Sequence, residues 1–326
     1  MTSDCGARRA MRRGAWLGAA LLGLGALGAL ACTTPPDPAK ESVAPSGGDT
    51  AARPVAVDPE ERAEAELNID FVRISAGTFT MGSPADEVGR DTDEDPFPVT
   101  LTRDFALQTT EVTQGQWVRL MGHNPAYNAA CGDDCPIEEV SWFSALAFAN
   151  ALSEHDGLPP CYILSECKGV AAAGHLRDCQ VSINDPSGSP YACRGYRLPT
   201  EAEWELAARA DNVPPPPDAV ACFLPLARYD SNAVAKSLKV TRKKPNAWGL
   251  YGMHSNVWEW VWDAYGDYPS EAVVDPLGAE TGTRRVHRGG RGRTGARSCR
   301  SAARGNLIPS SRVNILGFRL AKTVLD

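Results

Sequence analysis

The chain has 326 residues, 43% of them hydrophobic, and a formal net charge of -7 from 33 Lys+Arg against 40 Asp+Glu. That acidic balance argues against nucleic acid as a partner, because phosphate-backbone contacts need clustered Lys and Arg. The length suits one large domain, and no fixed-period repeat marks a solenoid or propeller.

The N-terminus reads as an export signal. Arg8, Arg9, Arg12 and Arg13 precede an apolar run from Ala15 to Ala31 that is short for a membrane span. The run ends in Ala29-Leu-Ala-Cys32, similar to a lipobox with Cys32 as the lipidated first residue. Residues 1–31 are therefore expected to be a lipoprotein signal peptide. The lipid would attach the mature chain to a membrane of the bacterial cell envelope, on the periplasmic or outer-membrane side. Ala29 stands where Leu is usual, which leaves plain secretion open. Loss of Met1–Ala31, with its four Arg and one Asp, would take the charge from -7 to -10. Residues 32–66, rich in Pro, Ala, Ser, Asp and Glu, read as a disordered tether. The folded domain is expected over 67–326.

Phe71 to Met81 alternates apolar and polar residues around a Gly and predicts a hairpin. Val99 to Leu107 alternates too and predicts one strand. The acidic loop between them, Asp86 to Asp95, reads as solvated surface. Thr110 to Met121 predicts a helix with Val112, Trp117, Val118 and Met121 on one face. Ser141 to Glu154 predicts a second, capped by Ser141 and lined by Phe143, Ala147, Phe148 and Leu152. Thr200 to Arg209 predicts a third, with Thr200 and Glu203 as a capping box. Val213-Pro-Pro-Pro-Pro217 excludes helix and central strand. Strands are expected again at Arg284–Arg288 and Gly317–Val324. The fold class is therefore α+β, with short helices, small sheets and long loops.

With Cys5 and Cys32 set aside, the domain holds Cys131, Cys135, Cys161, Cys167, Cys179, Cys193, Cys222 and Cys299. An even set in an exported chain favours disulfides. Zinc is the rival reading for the four thiols between Cys161 and Cys193, although neither a close Cys-x-x-Cys pair nor a finger-spaced His accompanies them. The economical pairing is Cys131–Cys135, Cys161–Cys193 around Cys167–Cys179, and Cys222 with Cys299. Spacing alone does not fix this connectivity.

The densest signal is Asn246-Ala-Trp-Gly-Leu-Tyr-Gly-Met-His-Ser-Asn-Val-Trp-Glu-Trp-Val-Trp262, which sets four tryptophans beside one acid, Glu259. Other landmarks are Met81-Gly-Ser83, Glu111-Val-Thr113, Pro136 to Trp142, Arg197-Leu-Pro-Thr-Glu-Ala-Glu-Trp204, Arg288-Gly-Gly290 and Leu316-Gly-Phe-Arg319. Together, and in this order, they resemble the formylglycine-generating enzyme (sulfatase-modifying factor) family from Phe71 to the C-terminus. The resemblance implies a variant of the C-type lectin fold.

Active members of that family are oxidases that hold Cu(I) between two cysteines five positions apart, shortly after the Gly-Gly matching Gly289-Gly290. Soft thiolates suit Cu(I), and a hydroxyl does not replace one. Counted forward from Gly290, Thr294 stands at the first position and Cys299 at the second. Counted backward from Ala302-Ala-Arg304, Cys299 misses the catalytic position. Cys299 is the one candidate catalytic residue, and copper is not expected. The resemblance also implies a calcium site with the Glu259 carboxylate and the carbonyls of Ser255 and Val257. Gly252 replaces the usual Asn or Asp there, so the alternative is Glu259 bonded to backbone N–H or an Arg.

The expected function is that of an envelope binding or scaffold module, with a groove lined by Arg291, Arg293, Trp258 and Trp262 for a peptide, glycan or envelope protein. The alternative is an oxidase converting a protein cysteine to formylglycine. Arg288-Gly-Gly-Arg-Gly-Arg293 reads as carboxylate-pairing rather than RNA-binding. The scattered His123, His155, His175, His254 and His287 show no metal spacing.

Overall fold

The computed structural model describes residues 67–210, 237–291 and 296–325. Among them no helix is long and apolar enough to cross a membrane.

Each of the three α-helices among the described residues starts where a local side chain satisfies its free N–H groups. Helix α1 (Gln114–Met121) has Thr113 as N-cap with Gln116 closing a capping box. Helix α2 (Trp142–His155) is capped by Ser141, and α3 (Glu201–Arg209) by Thr200 with Glu203 in a capping box. Helix α1 starts later than the sequence suggested. Val112 is held extended instead, its N–H bonded to Phe318 O and its carbonyl accepting from Ile137 N.

Strand β1 (Phe71–Ile74) pairs with β4 (Phe105–Gln108), whereas β2 (Gly77–Met81) pairs with β3 (Phe97–Leu101). The expected hairpin and the expected single strand are both cut at the same corner. Asp104 accepts Ala76 N at 2.8 Å, and Asp275 accepts Thr102 N at 2.9 Å, so both turns are fixed by side chains. The last predicted strand is likewise two: β12 (Leu316–Phe318) and β13 (Ala321–Thr323) lie in different sheets.

One four-stranded sheet runs β1-β4-β13-β7, with β7 at Tyr196–Arg197. A second runs β11-β10-β8-β12, from β8 (Trp258–Ala264), β10 (Arg285–Arg288) and β11 (Gly305–Leu307). Strand β9 (Val273–Val274) adds to β3, and β5 (Tyr162–Ser165) pairs with β6 (Gln180–Ile183).

Strand β8 divides two cores by the two-residue period of a strand. Trp258, Trp260 and Trp262 face the first, with Trp117, Trp142, Phe148 and Phe318. Val261 faces the second, with Trp204, Val286, Met81 and Phe97. Trp258 was expected to line a groove with Arg291; it is 8% exposed and meets the edge of His287 instead. Arg293 lies outside the described residues.

Gly317 on β12 lets the sheet approach the Ile137 carbonyl. A Cβ there would sit 2.3 Å from Ile137 O. Gly317→Ala is expected to cost about 1–3 kcal/mol as an overpacking change, read as a lower urea midpoint at an unchanged slope.

Three disulfides close as the economical pairing has them: Cys131–Cys135, Cys161–Cys193 and Cys167–Cys179. They use all four thiols that a zinc reading would need. The acidic loop matches its solvated reading only in part: Asp86, Asp91 and Asp95 are exposed, whereas Glu94 is not. Glu94 is fully buried and grips Arg300 with both oxygens at 2.6 Å, while Asp93 accepts the Tyr265 hydroxyl.

Candidate functional site

The odd residues of β8 point toward α3 and carry the acids. Glu259 is fully buried, and three donors converge on it. Trp204 Nε1 and Arg319 Nε reach Oε2 at 2.8 and 2.7 Å, and Arg319 Nη2 reaches Oε1 at 2.7 Å. Arg319 also donates to the carbonyls of Gln108 and Tyr251, which fixes the fork between β12 and β13.

Glu111 lies beside this pair. Its Oε1 accepts Asn256 Nδ2 at 3.0 Å, and its Oε2 is buried with no hydrogen-bond partner. Burial first, and then the neighbouring Glu259 charge, push its carboxyl up to about 8. Gly252 has φ +73°, and a Cβ on it would lie 2.5 Å from Glu111 Oε1. The carboxyl group of Glu111 thus fills the space that a side chain at position 252 would need. Asn256, also at positive φ (79°), bonds both the N–H and the carbonyl of Leu238 through its amide.

Helix α3 presents three more acids, each matched to arginine. Arg197 forks onto Glu203 with two bonds of 2.7 Å. Arg288 bridges Glu201 at 2.9 Å and Glu205 at 2.5 Å, and also donates to the carbonyls of Ser301 and Ala302. Arg304 adds a second guanidinium to Glu201, and Arg209 one to Glu205. Asp263 is different: its Oδ2 accepts Glu201 N at 2.7 Å, yet among the described residues no arginine bonds it. Burial and the nearby Glu201 charge push it up to about 8.

Glu111 and Asp263 give a pH dependence of definite sign. A carboxyl raised on folding stabilises the native state below its ordinary pKa, and that contribution is lost as pH rises through the folded value. The melting temperature is expected to fall between about pH 4.5 and about pH 8. In Asp263→Asn the fall should be shallower; an unchanged slope would remove Asp263 from the account.

Downstream of β10 the chain turns at Gly289 (φ +100°) and Gly290 (φ +69°) and packs against the 3-10 turn Ala296–Cys299. A Cβ on Gly290 would stand 2.2 Å from Ser298 O, so only glycine fits. His254 spans this corner, its two ring nitrogens 3.1 Å from Cys299 O and 3.2 Å from Ala208 O. Cys299 is 5% exposed and disulfide-bonded. Its expected partner, Cys222, lies outside the described residues, as does Thr294.

A family model, the sulfatase-modifying factor enzyme 1-like domain, matches residues 56–324. The chain belongs to the sulfatase-modifying factor family. It is 33% identical to the chaperone protein LppX of Paenibacillus barcinonensis, over 51% of this chain and 64% of that one. It therefore spans less than two thirds of that relative's length. The formylglycine-generating enzyme of Streptomyces coelicolor is 28% identical over 82% of this chain and 93% of its own. Among solved structures, Treponema denticola variable protein 1 superimposes with a TM-score of 0.63 and 31% identity, covering 78% of this chain and 95% of that one.

The site residues of this sulfatase-modifying factor domain do not fit the family's two metals. Cu(I) needs a free thiolate, and Cys299 is already bonded to sulfur. Calcium prefers six to eight oxygens, several of them anionic. Here Glu259 is neutralised by the Arg319 fork, and position 252 offers no side-chain oxygen. Ser255 and Val257 lie on the loop entering β8, where the resemblance places them, but the carboxylate that would join them is engaged. The sequence reading missed Glu111 as more than a landmark. Its signal was a glycine where the family carries Asn or Asp.

Proposed function

We propose that this protein is a non-oxidase member of the sulfatase-modifying factor family, acting as a binding or scaffold module of the bacterial envelope, held by a lipid on Cys32. The observation that carries this reading is the engagement of Cys299 in a disulfide, beside a sequence that offers Thr294 rather than a second sulfur. Ion pairs replace metal ions as the internal supports: Glu259 with Arg319, and Glu201 and Glu205 with Arg288. Further support comes from the Paenibacillus relative named a chaperone, which favours a protein partner. The export signal and tether favour display outside the cytoplasm.

The test is chemical. The purified chain is incubated with Cu(I), oxygen and a Cys-x-Pro-x-Arg peptide, and the peptide mass is followed. The cysteine is expected to survive unchanged while a bona fide formylglycine-generating enzyme converts it in parallel. Aldehyde formation by this chain would establish the oxidase alternative.

A further inference from the structure

Among the described residues, buried arginines are otherwise matched to acids: Arg197, Arg209, Arg288, Arg300, Arg304 and Arg319 each bond a carboxylate. Arg285 is the exception. It is half-buried at the start of β10, and among the described residues no carboxylate lies within 4.0 Å of it. Aromatic rings surround it instead. Its guanidinium carbon stands 3.9 Å from the centroid of Trp142 and 5.4 Å from that of Trp262. Tyr162 stacks behind Trp262 at 5.3 Å and 11°, and Trp142 is locked by Nε1 bonding to Val261 O at 2.8 Å.

The fork is only partly used. Nη1 donates to Trp262 O at 2.8 Å, while Nε and Nη2 have no protein partner among the described residues. The open edge is thus the side-on pair of N–H groups that suits two carboxylate oxygens. Leu307 stands directly opposite Arg285 in the β10–β11 register, and so on the same face. The next residue, Ile308, is 49% exposed. A desolvated cation held rigid by rings, with a free bidentate edge beside aliphatic side chains, is organised for an anion attached to an apolar group.

We propose that Arg285, Trp142 and Trp262 form a recognition site for a carboxylate on an apolar peptide, such as a C-terminal Leu or an acidic side chain beside aliphatic residues. The aliphatic border of half-buried Leu307 and exposed Ile308 favours peptide over sugar acid. The site lies at the far end of β8 and β10 from the Gly289-Gly290 turn, since Arg285 pairs with Ala264 and Arg288 with Glu259. It does not depend on the state of Cys299, and so stands or falls separately from the loss of oxidase chemistry.

The experiment titrates the full exported chain with N-acetyl-leucine, following the Trp262 indole and Arg285 Nε–H resonances by NMR. N-acetyl-leucinamide, glucuronate and sulfate are run in parallel. The expected result is a saturable shift with N-acetyl-leucine in the millimolar range, roughly. The amide should give none, and Arg285→Gln and Arg285→Lys should each bind at least tenfold more weakly at an unchanged melting temperature. Arg285→Lys keeps the charge, which separates the planar fork from simple attraction and serves if Arg285→Gln does not fold. Equal shifts from acid and amide would overturn the proposal, as would undiminished binding by Arg285→Lys. Tighter binding of glucuronate or sulfate would overturn the peptide assignment.

Discussion

Arg319→Ala is expected to destabilise the domain by about 3–5 kcal/mol, because it removes one member of a fully buried ion pair and leaves the other. Among the described residues Arg319 is the one guanidinium bonded to Glu259, and the carbonyls of Gln108 and Tyr251 also lose this donor. Glu111, already raised by burial and by Glu259, loses the nearby Arg319 charge that favours its ionised form. The double variant Arg319→Met with Glu259→Leu should recover much of the loss, since replacing both partners with hydrocarbon removes the stranded charge. Urea denaturation of the two single variants and the double closes the cycle. A strongly favourable coupling is expected, and additive losses would show that the pair is not a unit.

Trp260→Ala should be comparably costly, about 3–5 kcal/mol by the usual range for truncating a buried aromatic. Trp260 is 0% exposed at the centre of β8, and its Nε1 donates to Val140 O at 3.0 Å. The truncation therefore opens a void in the first core and strands a buried carbonyl. Trp260→Phe separates the two effects, because it keeps most of the ring and loses the N–H. It should fall well short of the alanine variant. Equal losses in thermal or urea melts would mean that the Val140 hydrogen bond, not packing, dominates.

What could be read from the chain alone follows the range of the interaction involved. The capping boxes were legible because Thr200 and Glu203 satisfy each other within one turn. The nested disulfides were legible because Cys161 to Cys193 closes on itself in a short stretch. Sheet membership was not. Ser75–Ala76 and Thr102–Asp104 look like ordinary interruptions, and only Asp104 and Asp275, brought in from other segments, turn them into corners. Glu94 reads as solvated until Arg300, 206 positions away, is folded against it. The candidate site divides the same way. Glu259 and Cys299 stand out by motif, whereas the roles of Glu111 and Arg285 depend on partners that local pattern does not announce.

The most direct test of the account is the oxidation state of Cys299 in native protein. Unreduced protein is alkylated, digested and mapped by mass spectrometry, with bound copper measured on the same sample. Cys299 should appear only in a disulfide-linked peptide, unalkylated before reduction, with no stoichiometric copper retained. A Cys299 that alkylates freely in the native chain and holds one Cu(I) would contradict it.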